Sequence, residues 1–289
     1  MDLADQESVP FSVVALVAAS GVQEVRLPKS YHGDPGEDEM SLAFRTHREH
    51  EEFRLLASSE HLIEGRVPAD STPEMFQFLK HAKGLRSLDL TAAPVRRIQE
   101  LEFLPTLPAL NRLKLTQKQC CDGIGALLAA CTELHEMEYY EADSRTAPQL
   151  KWLDALADSQ LSWLYLSLGS VTAELAEVLS RQKCRVEVRL GEIPTLEEVA
   201  HLARVTGLKV LTFSLEAATE PEEAVALLSR FTGLEQLSVG GMYLKLADIA
   251  QIARALPTAL LEVPVLDLDV SSLLALCRKY PQFQLNYYD

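Results

Sequence analysis

The sequence predicts an α/β solenoid, in which short parallel strands and short helices alternate in stacked units of about 25 residues. Three observations predict it. The pattern L-x-x-L-x-L recurs at near-constant spacing along most of the chain. Each copy carries two periodicities, a helical stripe and then strict alternation, so helix and strand follow one another in every unit. The composition suits a chain that buries a core and faces water. Of 289 residues, 47% are hydrophobic and 24% charged, and the mean hydropathy is +0.01. Neither a disordered nor a membrane-spanning chain has that balance.

In chain order, the N-terminal segment comes first. Val9 to Val22, VPFSVVALVAASGV, is apolar enough to resemble a signal-peptide core. The preceding MDLADQES carries three acids and no Lys or Arg, the wrong flank for a secretory signal. Fourteen residues are also too few to span a bilayer. A buried helix is expected there. PKSYHGDPGEDEM over 28–40 is rich in Pro, Gly and acids and reads as an exposed loop. Residues 1–60 are therefore expected to form an N-terminal capping region with an acidic loop, and 61–289 one continuous repeat array.

Within the array the motif reads LRSLDL from Leu85, LNRLKL from Leu110, LHEMEY from Leu134, LSWLYL from Leu161, LKVLTF from Leu208 and LEQLSV from Leu234. CRVEVRL over 184–190 fills the one double-length gap. LLEVPV continues the row with its frame set on Leu260, Val263 and Val265. The starts at 85 and 260 lie 175 residues apart, seven intervals of 25. Weaker copies are VQEVRL from Val22, LIEGRV from Leu62 and FQLNYY from Phe283. EADSRTAPQ over 141–149 interrupts the pattern and is expected to bulge from one edge. Helical patterns occupy 197–207, 222–233 and 247–257, and Val225, Leu228 and Phe231 form a stripe in the second. Thr195 and Thr219 stand where they could cap two of these helices.

These repeats resemble the leucine-rich-repeat family from about Val22 to the C-terminus. The resemblance implies a curved parallel sheet on a concave face, helices on the convex face, and capture of protein partners by the concave face. One departure stands out. Many family members place Asn or Cys three residues after the last strand leucine, and here those positions hold Ala93, Lys118, Ala142, Gly169, Glu216 and Met242.

Catalytic and metal motifs are weak. His47 and His50 share a helical face but lack the further ligands or the H-E-x-x-H spacing of a metal site. Cys120 and Cys121 are adjacent and point apart. With Cys131, Cys184 and Cys277 they make five, with no C-x-x-C pair, as small apolar residues in a reducing compartment would be. Gly123 and Gly125 lack a phosphate-loop lysine, and Gly240 with Gly241 reads as a turn. No cofactor and no enzymatic activity are expected.

The residues between strand leucines point away from the core, and those in the central copies are the candidate binding residues. They are Arg112 and Lys114; Glu136, Glu138 and Tyr140; Trp163 and Tyr165; and Arg185, Glu187 and Arg189. Aromatics with arginines and acids suit protein recognition; cross-strand charge pairs under aromatic cover are the simpler alternative. Acids outnumber bases 42 to 27, a net charge of -15. That charge disfavours nucleic acid and favours a partner with a basic surface patch. The expectation is a cytoplasmic binding protein without membrane association. It would be an immunity-type inhibitor of a toxin or effector, or else an adaptor that recruits substrates to a ligase or signalling complex.

Overall fold

Strand formation follows the leucine motif. A computed structural model describes residues 24–25, 63–67, 76, 79–120, 123–141, 150–216, 219–241, 244–262 and 270–284. The expected capping region falls outside these apart from Glu24 and Val25, as do His47, His50, Cys121 and the 142–149 interruption. Contacts divide the chain into two compact units. The first is Met1–Tyr140 with Ser159–Leu161, and the second is Glu141–Asp158 with Ser162–Asp289.

Unit 1 contains strands β1 (Glu24–Val25), β2 (Glu64–Arg66), β3 (Ser87–Asp89), β4 (Arg112–Thr116) and β5 (Glu136–Tyr140). They pair in parallel in chain order, with Leu88 beside Leu113 and Leu113 beside Met137. Parallel neighbours require the chain to return on one side of the sheet between strands. Among the described residues of this unit the return is made by 3-10 turns at Ile98–Leu101, Leu104–Thr106 and Gln117–Gln119 and by the helix α1 (Ile124–Ala129), and Phe76 and Leu79 are also helical. Pro105 within the second turn removes a helical donor and keeps that return short. Leu85, Leu88, Leu90, Leu110, Leu113 and Leu115 are completely or almost completely buried, as the motif requires.

Unit 2 contains β6 (Trp163–Leu168), β7 (Arg185–Leu190), β8 (Leu208–Ser214), β9 (Gln236–Gly240), β10 (Leu260–Glu262) and β11 (Phe283–Gln284). These also pair in parallel and in order. Its helices are α2 (Ala173–Ser180), α3 (Leu196–Leu202), α4 (Pro221–Leu228), α5 (Leu246–Ala255) and α6 (Val270–Lys279), and successive helices pack on one another. Burial alternates along β6 and β7, so Leu164, Leu166, Val186 and Val188 fill the core while Trp163, Tyr165, Arg185 and Glu187 lie on the open face. The register slips by one residue between β7 and β8 at Val186 and Glu187.

Helix starts follow local chemistry. Thr172 caps α2 by accepting from Leu175 N–H at 3.1 Å. Thr195 caps α3 by accepting from Glu198 N–H at 3.2 Å, and the Glu198 carboxylate accepts in return from Thr195 N–H at 2.8 Å. Thr219 is not a cap. The boundary residue of α4 is Glu220, without a side-chain cap, because Pro221 begins the helix with its fixed φ. One repeat frame also needs correction. Leu260 is half-buried beside Gln236, whereas Leu261 is completely buried beside Leu237. The run L-L-E-V-P-V offers apolar residues at every second position from Leu261, so the frame can shift by two, and the pairing of Leu261 with Leu237 of β9 sets it.

Candidate binding face

Among the described residues, the sheet of each unit has one face under helices or turns and one face left open, and every candidate residue stands on an open face. Unit 1 holds Arg112, Lys114, Glu136, Glu138 and Tyr140. Unit 2 holds Trp163, Tyr165, Arg185, Glu187 and Arg189.

The unit 1 group is built by register. Arg112 pairs laterally with Glu136, and Lys114 with Glu138. Neighbouring strands lie ~4.8 Å apart, so these long side chains meet above the sheet. Glu138 is the centre. One of its oxygens accepts from Arg112 Nε at 2.9 Å and from Arg112 Nη2; the other accepts from Lys114 Nζ at 3.1 Å and from the Tyr140 hydroxyl. Glu136 lies 3.7 Å from Arg112 Nε. Closed over by these partners, Glu138 is only 3% exposed. Burial alone would raise its pKa, but the hydrogen bonds from Tyr140, Arg112 and Lys114 outweigh it and hold the carboxyl below the usual range. Desolvation works against the Arg112 charge, and Glu138 more than offsets it, so that pKa is raised.

In unit 2, the Trp163 and Tyr165 rings stack with centroids 6.2 Å apart at 29°. Both rings are half-buried. Arg185 donates from Nε to Glu187 at 2.8 Å and from Nη1 to Glu235. The Glu187 bond is the main reason its pKa is raised. Arg189 is exposed, and among the described residues it makes no ion pair.

Further acids stand at the helix starts of unit 2. First turns carry Glu174 in α2, Glu197 and Glu198 in α3, Glu222 and Glu223 in α4, and Asp248 in α5. Last turns carry His201, Arg254, Arg278 and Lys279, and Arg204 and Arg230 follow α3 and α4 closely. Because the strands are parallel, all these helices begin at one edge of unit 2. The signs also match the helix dipole, which is positive at its start.

Two buried amides were missed in the sequence. The side chain of Gln119 accepts from Thr116 N–H at 2.7 Å and donates to Ala93 O at 2.8 Å, one repeat away. Gln182 donates to Leu153 O at 2.9 Å. They satisfy buried carbonyls of the preceding repeat, a task that the family gives to Asn or Cys elsewhere in the motif. The signal available was Gln119, one residue after the position where Lys118 stands. Cys131 and Cys184 are buried among apolar groups, which pushes both thiols up to about 11. Such thiols stay protonated and unreactive near neutrality. Among the described residues, no group of three His, Cys, Asp or Glu could hold a metal ion, and no helix is long and apolar enough to cross a membrane.

No protein-family profile and no curated protein sequence matches the chain. Solved structures do. The leucine-rich repeat-containing protein LegL7 from Legionella pneumophila is 13% identical with a TM-score of 0.54, the match covering 87% of each chain. An internalin, inlF, from Listeria monocytogenes is 14% identical with a TM-score of 0.44, over 82% of this chain and 70% of its own. An internalin C2 from the same organism is 18% identical with a TM-score of 0.40, over 75% and 84%. Taken with the parallel order and the buried motif leucines, the likeness to LegL7 makes this a leucine-rich-repeat fold.

Proposed function

With a leucine-rich-repeat solenoid as the premise, we propose that the chain is a non-enzymatic protein that captures a partner protein on its open sheet face. The observation that carries this reading is the stacked Trp163–Tyr165 pair, held half-buried on the outward side of a strand whose inward side is core. Rigid aromatics supply contact area at low entropic cost and dominate many interfaces. One flanking charge is already held in place. Arg185 is bound by Glu187 and Glu235, and a group positioned in this way loses little freedom on docking.

In this reading the partner is a protein with a basic surface patch, and the encounter is steered by the acidic helix starts of unit 2. The role is that of an immunity-type inhibitor, which neutralises a toxin or effector domain by covering it in the cytoplasm. The net charge of -15 supports that role.

The test is affinity capture from the native host with wild type, Trp163→Ala and Glu222→Ala, followed by affinity measurement on the captured protein. Trp163→Ala should weaken binding roughly 30- to 1,000-fold, the usual cost of truncating a central aromatic, with an unchanged thermal melt. Glu222 is on the exposed side of α4, and its variant should bind normally. A folded Trp163→Ala protein that binds like wild type would remove the open face of unit 2 as the capture site. Neutralisation is tested separately, by whether the captured protein is toxic alone and harmless when co-expressed.

A further inference from the structure

Register places four side chains in one row across the open face of unit 2: Ser167 beside Arg189, Arg189 beside Thr212, and Thr212 beside Ser238. Each carries hydrogen-bond donors. Among the described residues none of the four side chains has a hydrogen-bond or ion partner, in contrast to Arg185 earlier on the same strand, which two glutamates hold. Among the described residues the Arg189 guanidinium in this row therefore has no acid to neutralise it. Three hydroxyls flank that charge, and the aromatic pair stands beside it, with Tyr165 diagonally next to Arg189 on the adjacent strand.

We infer that this row receives a carboxylate side chain, an aspartate or glutamate presented by a segment of the partner protein. The inference rests on the capture reading above and names the chemistry of its contact. A guanidinium offers a planar fork that matches a carboxylate in two parallel hydrogen bonds. Hydroxyls at ~4.8 Å steps on either side can donate to the same group. One cation in this row, on a chain of net charge -15, suits one carboxylate better than a polyphosphate backbone, which needs several cations to displace its counterions. The partner can be basic overall and still place one acid here. Long-range steering and the short-range contact are then assigned to different surfaces.

A random dodecapeptide library displayed on phage, selected on the full chain, tests this directly. Enriched peptides should share an Asp or Glu. For the tightest of them, Arg189→Gln should weaken binding by about ten- to a hundredfold, the loss expected when a charge-assisted hydrogen bond goes. Replacing the peptide's acid by its amide should cost about as much against wild type and almost nothing against Arg189→Gln. Enriched peptides without an acid, or an acidic peptide that binds Arg189→Gln and wild type equally, would overturn the inference, and so would a selection that yields no binder. The two readings separate through Trp163→Ala. Peptides sensitive to Trp163→Ala but not to Arg189→Gln leave capture standing and reject the carboxylate row. Peptides sensitive to Arg189→Gln alone keep the carboxylate row and reject the aromatic pair as the anchor of capture.

Discussion

Replacing Glu138 by Gln should destabilise unit 1 in a manner that depends on pH. The carboxylate is 3% exposed and accepts from Arg112, Lys114 and Tyr140. The amide that replaces it cannot neutralise two cations, and its NH2 faces groups that are themselves donors. Hydrogen bonds to charged groups contribute about 1.5–3 kcal/mol each before compensation. Arg112 and Lys114 are 38% and 30% exposed, so water screens part of the loss, and a neutral amide is cheaper to bury. A net cost of about 2 kcal/mol at pH 7 follows from these opposing effects. The folded carboxyl has a pKa below its unfolded value. Its contribution is therefore present above the unfolded pKa of ~4.3 and lost as pH falls through the folded one. Urea unfolding of wild type, Glu138→Gln and Tyr140→Phe, repeated at about pH 7, 4 and 2.5, measures the difference across the window between unfolded and folded titration. The Glu138→Gln gap should be widest at pH 7 and shrink at the lowest pH. Tyr140→Phe, which removes one donor and keeps the charge, should cost about 1 kcal/mol. Equal midpoints at pH 7, or a gap that does not change with pH, would refute the argument.

Three further outcomes are expected. Leu88→Ala, Leu113→Ala and Leu237→Ala, each at a fully buried site, should cost about 2–5 kcal/mol by urea unfolding; Ser87→Ala and Gln236→Ala on the open face should cost far less. Gly241 has φ +78, and a Cβ there would meet the Leu215 carbonyl oxygen at 2.2 Å, so Gly241→Ala should lower the melting temperature. Gly233→Ala meets nothing within 4 Å and should leave it unchanged or slightly higher. Raising salt from about 0.05 to about 0.5 M shortens the screening length severalfold. Partner association should then slow by about tenfold or more with little change in dissociation, as stopped-flow or biosensor traces would report; an association rate flat with salt would exclude steering.

The parts of the fold that depend on period were legible in the sequence. Alternation fixed which side of β4, β6 and β7 is core, because a one-residue slip would bury Trp163 and Arg185 and expose Leu164 and Val186. The stripe Val225, Leu228 and Phe231 is buried as its spacing requires. What depends on depth was not legible. Spacing puts Glu138 on the outward side, but only the reach of Arg112 and Lys114 from the neighbouring strand and of Tyr140 along its own decides that it is covered. Local competition caused the two errors of detail. Pro221 displaced Thr219 as the start of α4, and Leu261 took the core position assigned to another residue of the same apolar run. Gln119 and Gln182 act through carbonyls 26 and 29 residues away, a separation at which no local pattern points from one to the other.

The sorting of acids to helix starts and bases to helix ends in unit 2 has a colloidal consequence. At neutral pH the surplus of negative charge keeps copies of the chain apart. Near the isoelectric point, about 4.9, that mutual repulsion vanishes while the two edges of unit 2 still differ in sign. Copies then meet with attraction between unlike edges and nothing to oppose it. Concentrated stocks are best kept well above that pH. Mildly acidic buffers of low ionic strength are where ordered edge-to-edge association, and with it crystal nuclei, would first be sought.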